Sequence, residues 1–185
     1  IFHHLSWNQI THSKYKDDLP GKDYSYHFLN SNKFNWRKFL LELSSRAVDL
    51  IEPLTDARRI NVFFVDDSLY ECSRSKKTDM LSTIFDHVSH QYFNGFHLLT
   101  LGIPVDFPLA ATVSHMINDI KSNIDKRSLS YRRRSEAKQK KTKTTVEMVK
   151  RTLNHSIHAD YILMDTLFAS PAMFLDMKNI GIDAI

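Results

Sequence analysis

Residues 60–67, with the sequence INVFFVDD, decide the fold of this 185-residue chain. Their β-branched and aromatic side chains are concentrated in residues 62–65, and such a run predicts a short strand buried on both faces. Two acids, Asp66 and Asp67, follow directly. We therefore expect a buried strand that ends at a pair of carboxylates.

A second predicted strand ends in the same way, because the apolar run Tyr161–Met164 is followed by Asp165. A carboxylate at the end of a buried strand loses hydration unless a cation meets it. If the two strands are neighbours, Asp66 or Asp67 can converge with Asp165 on one divalent ion. Carboxylate oxygens favour Mg²⁺ or Mn²⁺ over zinc. The alternative is that Asp67 and Asp165 only cap the turns that follow them.

The residues before this first strand predict a helical region. Apolar residues recur at helical spacing from Trp36 to Ile51, with Asn35 as a candidate N-cap and Pro53 just past the end. We expect a helical N-terminal region over residues 1–57 and a second domain over residues 58–185.

Residues 91–109 predict a hairpin, but its only turn signal is the short segment 102–104. Pro104 supplies no N–H where strand pairing would resume. We therefore expect residues to be missing after Gly102.

The remaining segments alternate between helical and strand patterns. Helical spacing covers residues 113–124, and a further helix is expected to open at a capping box, Thr144 to Glu147. Ser170 followed by proline predicts a helix start, Gly181 its end, and residues 182–185 a strand. Helices that feed parallel strands indicate a mixed α/β fold.

Charge is distributed unevenly along the chain. Residues 126–151 contain eleven basic residues and two acids, a charge of +9, whereas the remainder carries −5. Such a block indicates a polyanion partner, because binding releases condensed counterions. The alternative is a solvated surface loop, and either way we expect residues 127–143 to be mobile or exposed without DNA. The candidate DNA-binding residues are Arg127, Arg132, Arg133, Arg134, Lys138, Lys140, Lys141 and Lys143.

Composition excludes several classes of protein. Apolar residues make up 42% and aromatic residues 11%, which excludes a wholly disordered chain. No apolar run approaches the ~20 residues of a membrane span, so we expect no membrane partner. Cys72 is the single cysteine and suits a reducing compartment. No signal peptide is visible at the start, and we expect a cytoplasmic location.

Three segments together resemble the DDE transposases of bacterial insertion sequences. They are residues 65–70 (VDDSLY), 95–102 (GFHLLTLG) and 159–166 (ADYILMDT), and the likeness extends into the N-terminal region. The resemblance implies a ribonuclease-H-like mixed sheet flanked by helices, with a helical N-terminal region that contacts DNA. It makes residues 58–185 a catalytic core that is incomplete at its C-terminal end.

The resemblance also implies the site and its chemistry. Asp67, which directly precedes Ser68, takes the role of the first catalytic metal ligand in preference to Asp66, and Asp165 takes the second. Two Mg²⁺ or Mn²⁺ ions would support phosphodiester cleavage and strand transfer. The implied partner is double-stranded DNA, both transposon ends and target, with a homodimer on the DNA as an assembly to test.

Three departures from the family pattern keep a second function open. The hairpin after Gly102 lacks the aromatic and polar turn residues that the family would place there. The third acidic ligand, a glutamate well beyond the strand at Ile182, is expected outside these 185 residues. No tryptophan follows Asp165. The two hypotheses are therefore an active DNA transposase and a catalytically inactive DNA-binding remnant of one.

Overall fold

The computed structural model describes most of the chain in two units. The described residues are 9–10, 12, 17, 20–31, 33–56, 58–75, 78–104, 107–114 and 125–185. The units are Ile1–Asn35 and Trp36–Ile185. The first contains helix α1, Lys22–Leu29, and the ring of Phe28 lies 5.0 Å from that of Phe34. The separate helical region predicted over residues 1–57 stays a prediction, but its long helix, which starts at Trp36, lies in the second unit.

The second unit contains four helices and six strands among the described residues. The helices are α2 (Trp36–Ile51), α3 (Leu129–Ala137), α4 (Lys141–Leu153) and α5 (Pro171–Ile180). The strands are β1 (Val62–Glu71), β2 (Ser82–Asp86), β3 (Gln91–Ile103), β4 (Phe107–Ser114), β5 (Tyr161–Met164) and β6 (Asp183–Ala184). A 3₁₀ turn, Glu52–Leu54, follows α2. Within the described part of the chain, no helix is both long and apolar enough to cross a membrane.

The six strands form one mixed sheet in the order β2-β3-β1-β5-β6, with β4 also paired to β3. β3 runs antiparallel to β1, β2 and β4, whereas β5 runs parallel to β1 and β6. The predicted fold class is confirmed: this is an α/β fold whose ribonuclease-H-like mixed sheet is flanked by helices. The central position of β1 places the first pair of acids next to β5.

The core joins the sheet to helices α4 and α5. Phe63, Leu99 and Ile162 are fully buried strand residues, and Val149 of α4 and Met177 of α5 belong to the same apolar cluster. Burial of apolar side chains on this face provides the main driving force for placing the helices there.

Local sequence signals predicted several element ends correctly. α2 begins at Trp36 and ends before Pro53. The Ser170 hydroxyl caps α5 by accepting a hydrogen bond from the backbone N–H of Met173, and Gly181 ends that helix with φ 90°. Such left-handed backbone favours glycine because it has no Cβ.

The prediction that the first strand ends at Asp66 and Asp67 was wrong. β1 continues to Glu71, which pairs with Gly95 of β3. The two acids therefore lie in the middle of β1, at the point where its pairing with the shorter β5 stops. The length of β1 is set by β3, a strand that lies farther along the chain.

The chain is continuous after Gly102, which contradicts an omitted loop at that position; a deletion relative to the family stays a prediction. β3 runs without interruption through Gly102 and Ile103, and Ile103 pairs with Phe107. A register shift between Leu101 and Gly102 brings Pro108 opposite Gly102. An irregularity of this kind accommodates a proline in a ladder.

Three further expectations differ from the structure. β2 has no counterpart among the predicted elements. α4 begins at Lys141, so Thr144 lies inside the helix, where its hydroxyl donates to the carbonyl of Lys140, and no capping box forms. Val113 lies in β4 and not in the helix predicted for residues 113–124; residues 115–124 are outside the described part.

We predict that Gly95→Ala lowers the free energy of unfolding by about 1–3 kcal/mol. A Cβ at Gly95 would lie 2.3 Å from the carbonyl oxygen of Tyr70, a backbone atom of the neighbouring strand. Urea denaturation followed by circular dichroism measures the loss. The neighbouring change Asn94→Ala removes only an exposed side-chain contact with Thr83 and should cost less than about 1 kcal/mol. Equal losses in the two variants would contradict the steric explanation.

Candidate active site

Asp67 lies on the covered face of the sheet. Side chains alternate along a strand, so Asp67 shares a face with Phe63 and Val65, both of which are buried. Asp67 is opposite the fully buried Leu99 of β3, and its side chain is only 8% exposed. Asp66 is exposed and accepts a hydrogen bond from the Ser68 hydroxyl. The two adjacent acids therefore have different environments.

Two basic side chains contact the Asp67 carboxylate. Lys141 Nζ lies 2.5 Å from Asp67 Oδ2, and His97 Nδ1 lies 3.2 Å from the same oxygen. His97 reaches it from β3, and Lys141 reaches it from the first turn of α4. Because a carboxylate only accepts, we assign Nδ1–H of His97 as a donor. We call Asp67, His97 and Lys141 the Asp67 cluster.

The Asp67 cluster keeps the carboxylate ionised. Burial by itself would raise the pKa of Asp67, but the hydrogen bonds from His97 and Lys141 and their charges together outweigh burial. The net result lowers the pKa of Asp67 from 3.8 to about 2. Asp67 is therefore an anion across the physiological pH range and needs no deprotonation before it binds a cation.

Asp165 follows the last residue of β5. The β1–β5 ladder ends at the pair Val65 and Met164, so the next residues, Asp66 and Asp165, leave the ladder at the same edge. The Asp165 side chain is exposed and accepts a hydrogen bond of 2.9 Å from the Thr166 hydroxyl. The backbone carbonyl of Asp165 accepts from the N–H of Phe168 at 2.9 Å, which closes a turn. The turn expected after this strand is present, and the exposed carboxylate remains accessible from solvent.

The carboxylates near the end of the β1–β5 ladder meet only part of what a hard divalent ion requires. The register brings the backbones of the Asp67 and Asp165 segments together, and both side chains offer carboxylate oxygens. Among the described residues, no group of three or more His, Cys, Asp and Glu side chains is placed to hold a metal ion. Oδ2 of Asp67, moreover, already accepts from Lys141. A cation shared by Asp67 and Asp165 stays a prediction.

Residues 126–151, which we call the basic segment, contain helix α3 and most of helix α4. This contradicts the alternative of an irregular solvated loop, although many of its side chains are exposed. Arg134 forms an ion pair with Asp79 at 2.5 Å and donates a hydrogen bond to the Ser130 hydroxyl at 2.6 Å. Lys141 belongs to the Asp67 cluster. The exposed candidates are Arg127, Arg132, Lys138, Lys140 and Lys143. Arg133 is half-buried.

A buried carboxylate, Glu136, connects three helices. Glu136 of α3 is 6% exposed and accepts hydrogen bonds from Arg37 of α2 at 2.7 Å and from Arg151 of α4 at 3.0 Å. Arg37 also donates to the Thr112 hydroxyl of β4 at 3.3 Å. The two bonds to one carboxylate tie α2 and α4 to α3.

Comparison with known families identifies the chain. A family model described as DDE superfamily endonuclease matches residues 21–184. The chain belongs to this family. The match confirms the resemblance found in the sequence, and membership implies a metal-dependent nuclease that acts on DNA. No curated protein and no solved structure matched the chain.

Sequence reasoning missed two contacts of this DDE superfamily endonuclease. His97 was noted only as part of residues 95–102, and Lys141 only as part of the basic segment. His97 is 30 residues from Asp67 along the chain, and Lys141 is 74 residues away. The one available signal was a polar residue, His97, within the apolar run of β3.

We predict that Lys141→Met lowers the free energy of unfolding at pH 7 by about 1–2 kcal/mol. The variant leaves the buried Asp67 with His97 as its remaining basic contact from the cluster. A carboxylate whose folded pKa is depressed stabilises the protein above its unfolded pKa, and this contribution is lost as pH falls through the folded pKa. The difference between wild type and variant should therefore be full above pH 3.8 and shrink toward about pH 2.

Thermal denaturation across this pH range measures the effect. Lys140→Met is the matched control because Lys140 is exposed and immediately precedes α4. It should change stability by less than about 0.5 kcal/mol at any pH. A Lys141→Met penalty that does not change with pH would show that packing, and not the charge of Asp67, explains the loss.

Proposed function

We propose that this chain is the catalytic part of a DNA transposase that cleaves and joins transposon ends. Asp67 and Asp165 are the proposed ligands of Mg²⁺ or Mn²⁺. The observation that carries the proposal is the ionised Asp67 on the central strand of a ribonuclease-H-like sheet, with Asp165 leaving the neighbouring strand at the same edge. Family membership supports the nuclease chemistry, and the proposed partners are transposon-end and target DNA.

The residues of the chain perform distinct tasks in this proposal. Asp67 is held by its strand and its basic partners, so it presents a fixed, ionised oxygen. Asp165 lies in a turn and presents an exposed carboxylate oxygen. Divalent ions, when bound, activate water or a 3′-hydroxyl and stabilise the leaving oxygen of the phosphodiester. Exposed basic side chains of α3 and its flanking segments attract the phosphates of double-stranded DNA.

A homodimer on DNA and action in the cytoplasm complete the proposal. Strand transfer at two transposon ends requires that both ends be held at once, which a dimer provides through symmetry. Residues 1–57, the expected DNA-contacting region, would provide further contacts with DNA.

A catalytically inactive DNA-binding remnant is the second candidate. Two observations favour it: the described residues offer no group of three metal-ligand side chains, and Lys141 already neutralises Asp67. The remnant would keep the exposed basic residues and therefore bind DNA without cleaving it. Cleavage of DNA separates the two candidates.

We predict that Asp67→Asn and Asp165→Asn each lower Mn²⁺-dependent nicking of supercoiled plasmid DNA by more than about 100-fold. The reason is that removing even the supporting partners of metal ligands costs roughly 10- to 100-fold. Asp66→Asn is the control, since Asp66 is one residue away but on the exposed face. It should keep activity within about threefold. DNA binding without nicking by the wild-type chain would favour the remnant, and equal losses in all three variants would contradict the assignment of Asp67.

We also predict that Lys141→Met tightens Mn²⁺ binding by about tenfold. The Lys141 ammonium group lies 2.5 Å from Asp67 Oδ2, so its positive charge would oppose the binding of a divalent cation by the same carboxylate. Electron paramagnetic resonance of free Mn²⁺ measures affinity without any need for catalysis. Lys140→Met should bind Mn²⁺ as the wild type does. Weaker binding in Lys141→Met would show that Lys141 positions Asp67 and does not compete with the ion.

A further inference from the structure

A groove on the second unit contains two arginines and an apolar wall. Arg37, Arg133 and Thr112 supply its polar lining, and Trp36, Leu40 and Leu98 supply apolar lining. We call it the Arg37–Arg133 groove. Its volume is about 280 Å³, just below the roughly 300–1,000 Å³ of pockets that enclose drug-sized ligands. The space therefore suits one small polar unit and not a large ligand.

The positive charge of the groove is only partly neutralised within the protein. Glu136 is the carboxylate that accepts from Arg37, and it accepts from Arg151 as well. One negative charge is thus shared by two guanidinium groups before Arg133 is considered. In the part of the chain that the structure describes, the Arg133 guanidinium donates no hydrogen bond and forms no ion pair.

The environment of Arg133 is unfavourable for a cation. Burial, followed by the positive charge of Arg37, lowers the pKa of Arg133, and the smaller attraction of Glu136 opposes these effects only in part. A half-buried charge without a counter-ion destabilises a folded protein unless something outside the chain compensates it. Arg133 therefore differs from its neighbours: Arg132 is exposed to water, and Arg134 is paired with Asp79.

We propose that the Arg37–Arg133 groove binds a phosphodiester of the DNA strand, with the phosphate oxygens between the two guanidinium groups. This inference rests on the proposed function, because it takes DNA as the ligand. Guanidinium groups bind phosphate through paired N–H donors, and the Thr112 hydroxyl adds a further polar group. The apolar wall provides a surface for the attached sugar or base, which an inorganic anion would leave unused. The groove would thus hold one phosphate at a defined position, whereas the exposed lysines attract phosphates only diffusely.

The test compares Arg133→Gln with Arg132→Gln in the full chain. Fluorescence anisotropy with a DNA duplex of about 30 bp, measured from about 50 to 200 mM salt, gives affinity and salt slope. Arg133→Gln should weaken binding about tenfold and reduce the slope by about one, as expected for a lost phosphate contact. Arg132→Gln removes an equal charge from an exposed DNA-binding candidate on the same helix, and it should weaken binding only about twofold because its guanidinium attracts phosphates through water.

Thermal stability distinguishes a phosphate-binding role of Arg133 from a purely structural one. Arg133→Gln removes an uncompensated charge, so its melting temperature without DNA should equal or exceed that of the wild type. Inorganic phosphate, compared with chloride at equal ionic strength, should stabilise the wild type more than Arg133→Gln. Arg133→Lys, which keeps the charge but loses the forked geometry, should recover part of the DNA affinity.

Each contrary outcome has a distinct meaning. If the wild type binds DNA but Arg133→Gln and Arg132→Gln bind it equally well, the groove proposal is overturned and the proposed function remains. If Arg133→Gln loses both melting temperature and affinity and Arg133→Lys restores neither, Arg133 is a structural residue and the groove proposal is overturned. If the wild type binds no duplex at about 50 mM salt, both proposals are overturned.

Discussion

The ion pair between Asp67 and Lys141 is the interaction on which the arrangement of the candidate site depends. A carboxylate on the covered face of a sheet, opposite the fully buried Leu99, is unfavourable unless basic groups reach it. Lys141 is the first residue of α4, and the apolar residues Met148 and Val149 of the same helix are buried in the core. The position of α4 is therefore fixed at its start by charge and along its length by apolar packing.

Glu136 performs a similar task for the helices on either side. Its two hydrogen bonds join α2 and α4 to α3, and it is too deeply buried for water to replace either partner. Loss of one arginine would leave part of a buried carboxylate unpaired, which costs more than the pair itself contributes. The basic segment of the sequence is thus a structural element as well as a source of positive charge. Counting its charges alone does not distinguish Arg151, which helps to hold the fold, from Arg132, which lies in solvent.

The elements that the sequence predicted well carry their signals locally. α2 is marked by its apolar spacing and Pro53, and α5 by Ser170 at its start and Gly181 at its end. The end of β1 could not be found in this way, because pairing with β3 extends it to Glu71. The pairing of Ile103 with Phe107 depends likewise on a register shift between β3 and β4, which residues near Gly102 do not encode by themselves.

The candidate site shows the same division between local and distant information. Asp67 and Asp165 were found because each follows a recognisable apolar run and because the motifs resemble a family. His97 and Lys141 were missed because strand pairing and helix packing, not sequence spacing, bring them to Asp67. The sequence also treated Arg132, Arg133 and Arg134 as equivalent, whereas the fold gives them solvent, a groove and an aspartate as their respective surroundings.

The two charged sites differ in how well the protein compensates them, and this difference bears on the order of binding. Asp67 is contacted by two basic side chains. The binding free energy of a divalent ion at Asp67 is therefore reduced by the attraction between Asp67 and Lys141 that the ion replaces. The charge of Arg133 is offset only in part by Glu136, and Arg133 forms no ion pair among the described residues. A phosphate would therefore bind Arg133 without displacing an internal partner. Metal ions in DNA-acting enzymes are commonly held by few carboxylates together with substrate phosphates, so bound DNA would supply further oxygen ligands. Within the proposed function, DNA binding should therefore precede firm metal binding, because Lys141 weakens Asp67 as a metal ligand.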